Sequence, residues 1–128
     1  MMVSLAGKAK KILIVEDDRG MQQIYRDMFK ERSRNYTIEI KDDAESAIKR
    51  LEQEAFDLII LDIIMEPMGG DSFFVYLRRG KMLDVPILVV SVLSPSSLKN
   101  LKKIDHVSFL QKPIKEDQLF KRIKEILK

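Results

Sequence analysis

Residues 12–18 read Ile12-Leu13-Ile14-Val15-Glu16-Asp17-Asp18, four apolar side chains in a row that run straight into three carboxylates. A short continuous apolar run suits a strand buried on both faces, as in a parallel sheet covered by helices. Two more runs share the pattern, Leu58 to Leu61 ending in Asp62 and Ile87 to Val90 ending in Ser91. Weaker strands are expected at Tyr36 to Ile40 and at Val107 to Leu110, the latter followed by Lys112 and Pro113.

Segments of helical period lie between the strands: Met21, Ile24, Tyr25, Met28 and Phe29 in one, Ala44, Ala47, Ile48 and Leu51 in the next. A last amphipathic helix carries Leu119, Phe120, Ile123, Ile126 and Leu127. Asp18 is expected to cap the first helix, and Asp42 with Glu45 to form a capping box before the second. Ser94 before Pro95 gives a further helix start. Five strands alternating with five helices imply right-handed crossovers and an open, doubly wound α/β sandwich.

Composition sets the outer limits. The chain has 128 residues, 45% of them apolar, which describes one domain able to hold a core without metal or disulfide. With no Cys, thiol catalysis and thiolate metal sites are excluded. No apolar run approaches the ~20 residues of a membrane span. Residues 1–10 lack the long apolar region of a secretory signal and read as a flexible leader to a domain at 11–128, so a cytoplasmic setting is expected, with no membrane partner. The net charge of +3 is spread among interleaved charges, too weak for direct nucleic-acid binding. Lys and Arg gather from Lys99 to Lys128, which reads first as a solvated surface and second as a partner face.

Function in a parallel sheet gathers at the carboxyl ends of the strands, and Glu16, Asp17, Asp62, Ser91 and Lys112 all fall there. Asp62 breaks an apolar run where neither cap nor turn explains it. Several converging carboxylates need a positive partner, and an all-oxygen donor set suits a hard cation, magnesium before calcium. A divalent ion and Lys112 would balance the three negative charges of Glu16, Asp17 and Asp62. His106, the single histidine, has no second imidazole or thiolate with which to share a metal and reads as structural.

These stretches, with Asp57-Leu58-Ile59-Ile60-Leu61-Asp62, Pro86-Ile87-Leu88-Val89-Val90-Ser91 and Phe109-Leu110-Gln111-Lys112-Pro113 in order, resemble the receiver domain of two-component response regulators, the single-domain chemotaxis type included. The resemblance runs from Lys11 to about Leu127 and implies a flavodoxin-like fold with strand order 2-1-3-4-5. It implies Asp62 as phosphoacceptor, and Glu16, Asp17, Asp62 and the Ile64 backbone carbonyl as magnesium ligands. Ser91 and Lys112 would hold the phosphoryl group, with Ser91 and Phe109 forming a switch. The donor would be a phosphohistidine of a partner histidine kinase or phosphotransfer protein. The output would be an unidentified downstream protein or effector domain, or a phosphorylation-dependent homodimer. The family is a signalling phosphoacceptor that assists its own phosphotransfer and autodephosphorylation rather than an enzyme in the usual sense, and no organic cofactor is expected.

Several positions depart from the family pattern. Glu16 stands where Asp is more usual, a frequent variant that keeps the carboxylate. Glu66 precedes Pro67 where Pro is usual, Val92 stands where Ala or Gly is usual, and the bulky Ile64 lies near the path of a hydrolytic water. Ile64 predicts slow self-dephosphorylation, and Val92 a narrowed phosphoryl entrance. Ile64 also argues against a magnesium phosphohydrolase, which needs a second Asp there. Glu16-Asp17-Asp18 argues against a phosphate-cradling cofactor loop. The alternative is a receiver-like interaction module that is not phosphorylated.

Overall fold

The structure is a computed structural model that describes residues 8–62, 76, 84–94, 96 and 105–128. In chain order its elements are β1 (Lys10–Val15), α1 (Arg19–Lys30), β2 (Tyr36–Lys41), α2 (Ala44–Gln53), β3 (Leu58–Leu61), β4 (Ile87–Ser91), β5 (Val107–Gln111) and α3 (Glu116–Ile126). The strands form one parallel sheet in the order β2-β1-β3-β4-β5. The flavodoxin-like α/β reading and its strand order therefore hold. Three of the five expected helices are described. The helix start expected at Ser94-Pro95 and the helix expected between β3 and β4 fall largely outside the described residues.

Alternation along each strand divides the core in two. Leu13, Val15, Ile59, Leu61, Ile87 and Val89 belong to one buried cluster with Ala44, Ala47 and Leu51 of α2, against which Tyr76 and Phe109 also pack. Ile12, Ile14, Leu58, Ile60, Leu88 and Val90 meet Tyr25 and Phe29 of α1 and Leu119, Phe120 and Ile123 of α3. Both faces of β1, β3 and β4 are thus covered, which is why these strands read as unbroken apolar runs. Phe29 meets Tyr36 and Phe120 in T-shaped contacts at one end of the second layer, where Tyr36 and Phe120 lie tilted against each other, with ring centroids 4.9–5.9 Å apart. The Arg32 guanidinium lies 3.8 Å from the centre of the Phe120 ring and pairs with Glu116 at 2.7 Å, fastening the α1–β2 connection to α3.

Asp18 caps α1 as expected, its side chain accepting from the Met21 amide at 2.7 Å. The cap of α2 needs a correction. Asp43, not Asp42, is the N-cap, and it accepts from the Ser46 amide at 2.7 Å. Asp42 is drawn elsewhere, accepting from the Gln22 side-chain amide at 2.6 Å. His106 has a left-handed backbone, φ 64°, before β5, and its carbonyl accepts from the Ile87 amide at 2.8 Å.

Candidate functional site

The register of the sheet builds the site. Ile14 lies opposite Ile60 and Val15 opposite Leu61, so one step further brings Glu16 level with Asp62. By alternation both side chains continue the column on the α1/α3 face, and Lys112 joins that face two residues after Leu110. Ser91 ends β4 opposite Gln111, and Phe109 lies opposite Val89. Ser91 and Phe109 share the opposite parity, on the α2 face.

Glu16, Asp17 and Asp62 each present a carboxylate oxygen within 4.8 Å of the others. The Lys112 ammonium sits between two of them, donating to Glu16 Oε1 at 3.3 Å and to Asp62 Oδ2 at 3.4 Å. The Glu16 side chain is only 2% exposed, against 12% for Asp62 and 18% for Lys112, so the pairing lies largely away from bulk water. Glu16 Oε2 also accepts from the Asp18 amide at 3.1 Å.

Burial pushes the Glu16 carboxyl above its ordinary 4.5; the Asp18 amide and the Lys112 ammonium pull it down, and the charge of Asp62 adds to the rise. Burial works against the Lys112 ammonium, but Glu16 and Asp62 together outweigh it and hold the amine above its ordinary 10.5. The field reaches α1: burial, then the charges of Glu16 and Asp62, push the Tyr25 phenol up.

Main-chain bonds fix the parts to one another. The Asp62 amide donates to the Val15 carbonyl at 3.2 Å and the Lys112 amide to the Ser91 carbonyl at 2.8 Å. Ser91 is buried, and its hydroxyl oxygen accepts from the Leu93 amide at 3.2 Å. The Lys112–Pro113 peptide is cis. Val92 is 62% exposed, and its carbonyl accepts from the Gln111 side chain at 3.2 Å. The Phe109 carbonyl accepts from Arg122 of α3 at 2.8 Å.

The family profile described as "Response regulator receiver domain" matches residues 12–124. The chain belongs to the response regulator receiver family. Among curated relatives of this receiver, the alkaline phosphatase synthesis transcriptional regulatory protein PhoP of Bacillus subtilis is 30% identical over 120 residues, covering 93% of this chain and 49% of that protein. The transcriptional regulatory protein CrdR of Helicobacter pylori is 26% identical over 116 residues, covering 90% of this chain and 54% of that one. The receiver thus spans about half the length of these relatives. Among solved structures, the chemotaxis response regulator CheY4 of Vibrio cholerae superposes with a TM-score of 0.85 at 25% identity, covering 94% of this chain and all of that one.

The carboxylates and lysine expected to work together therefore do meet. Their chemistry suits a hard divalent cation: three oxygen donors, one of them buried, with the Lys112 ammonium paired to two of them. The Ile64 carbonyl lies outside the described residues. One contributor escaped the sequence reading. Gln22, buried on α1, donates to the Glu16 carbonyl at 2.7 Å as well as to Asp42. A signal was present, since Gln22 stands between Met21 and Tyr25 beside the apolar stripe, where a polar residue needs partners.

Proposed function

We propose that this receiver takes a phosphoryl group onto the Asp62 carboxylate from a phosphohistidine of a partner histidine kinase or phosphotransfer protein. The observation that carries the reading is the Lys112 ammonium lying within 3.4 Å of both Asp62 and Glu16, beside a third carboxylate. An Asp62 oxygen attacks phosphorus, the phosphorus–nitrogen bond breaks, and the imidazole keeps the electron pair, leaving a mixed anhydride on Asp62.

Glu16, Asp17 and Asp62, with the Ile64 carbonyl, would hold magnesium, which when bound offsets negative charge during transfer. Lys112 shields the approach of an anionic donor to an anionic acceptor. It then pairs with the transferred group, to which the Ser91 hydroxyl donates. Phosphorylation turns about one negative charge at Asp62 into about two. The pull on Ser91, which shares a sheet face with Phe109, would shift β4 and β5 and change a protein-contact surface. The unit that does this is residues 11–128, with 1–10 as a leader and a cytoplasmic setting. Its output goes to a downstream protein, an effector domain or a second copy.

The test is incubation with Mg²⁺ and a small acyl phosphate, followed by intact mass beside an Asp62→Asn control. A gain of one phosphoryl group that is absent from the control and abolished by a chelator is expected. No gain, with Val92→Ala equally inert, would leave a receiver-shaped module that acts by contact alone.

A further inference from the structure

We propose that Gln22 is a positioning residue for the cation site, fixing the peptide that joins Glu16 to Asp17 from the side of α1. The inference rests on the reading that Glu16, Asp17 and Asp62 hold a divalent cation. Among the described residues three polar side chains belong to buried positions, Glu16, Gln22 and Ser91, and two of these are already part of the site.

Gln22 spends its amide on two contacts, with Nε2 donating to the Glu16 carbonyl at 2.7 Å and to Asp42 Oδ1 at 2.6 Å. A main-chain carbonyl and a carboxylate both only accept, so the orientation of the amide is settled by its partners. The Glu16 amide is held as well, donating to the Lys41 carbonyl at 3.0 Å. The backbone of Glu16 is therefore pinned on its nitrogen by the end of β2 and on its oxygen by Gln22. Asp17 has no strand ladder of its own beyond Val15, so the plane of the Glu16–Asp17 peptide sets where its carboxylate starts from. Asp42, exposed at the β2–α2 connection, holds the far side of the same amide. One side chain thus ties α1, the end of β1 and the start of the α2 region into a frame beneath two of the three carboxylates.

Partners that orient metal-binding groups without touching the metal are typically worth about 10–100-fold in affinity. The experiment is calorimetric titration with Mg²⁺ alone on wild type, Gln22→Met, Asp42→Ala and Asp42→Asn, with the unfolding midpoint of each measured without Mg²⁺. Gln22→Met keeps the volume and removes both donors. It should weaken Mg²⁺ binding about tenfold or more, Asp42→Ala should weaken it less, and Asp42→Asn, which retains an acceptor, should leave it unchanged. Packing alone would lower the midpoint without touching Mg²⁺ affinity. If wild type binds and Gln22→Met binds equally well, the inference is overturned and the cation reading stands. If wild type does not bind, both fall. Should Gln22→Met fail to fold, Asp42→Ala decides, with unchanged affinity overturning the proposal.

Discussion

Two groups of charged side chains sit on this sheet, built from the same residue types to opposite ends. On the flank formed by β1, β2 and α2, Lys11, Lys41 and Arg50 meet Glu39 and Glu54, with Lys11–Glu54 at 2.7 Å and Arg50–Glu54 at 2.9 Å, while Arg50 also pairs with Glu39. Three cations face two carboxylates there, and every member is solvated. At the carboxyl rim three carboxylates converge, the Lys112 ammonium pairs with two of them, Glu16 and Asp62, and Glu16 is buried. Water and countercharge satisfy the first group completely. The second brings three carboxylates within 4.8 Å of one another, one buried, one half-buried and one exposed, a donor set that a hard cation suits. Ion pairs alone mark nothing; converging carboxylates with a buried member do.

The largest break in this contrast should come from Lys112→Met. Removing the ammonium strands a buried carboxylate, and in metal-free buffer the variant should lose about 2 kcal/mol in a urea titration, below the roughly 3–5 of a fully dry pair because Lys112 retains some solvent. An unchanged midpoint would show that water reaches Glu16 after all.

A second comparison sharpens the first through pH, because two carboxyls are shifted in opposite directions. The Ser46 amide, backed by its side chain, holds Asp43 below its ordinary 3.8, so the folded state prefers the carboxylate. Its contribution is present above 3.8 and is lost as pH falls through the lowered folded value. Asp43→Ala should cost about 1 kcal/mol at neutral pH as a lost cap, with the gap to wild type closing in acid. Burial raises Glu16, so the folded state prefers the neutral acid. That contribution is present below 4.5 and is lost as pH rises through the raised folded value. Wild type should therefore lose ground to Glu16→Gln as metal-free buffer is taken from acid toward neutrality. Two gaps that move in the same direction with pH would refute this assignment.

The smallest effect is expected on the solvated flank. Lys11→Met removes the 2.7 Å pair with Glu54 yet leaves Arg50 on the same carboxylate. Its melting temperature should match wild type, at low salt as at high. A drop as large as that of Lys112→Met would erase the distinction between the two groups.

How much of this was legible follows from what each residue depends on. β1, β3 and β4 could be read because each is buried on both sides, and Glu16, Asp62 and Lys112 because strand alternation carries strand-end residues to a predictable face. The strand order came through the family resemblance, since crossover lengths alone do not fix it. Asp42 and Asp43 could not be told apart as caps: both have the right chemistry, and the choice turns on Gln22, twenty residues earlier, which draws Asp42 to itself. Gln22 was missed for the same reason, its role being defined by the Glu16 carbonyl, which every residue type would present.

The bond from Arg122 to the Phe109 carbonyl bears on how the sheet ends. β5 is an outer strand, and outer strands offer unpaired main-chain groups on which another chain can template itself. At Phe109 that offer is already taken by a guanidinium from the molecule's own last helix. A foreign strand seeking to extend the sheet there must first dislodge Arg122, and the positive charge it meets would discourage any but an acidic visitor.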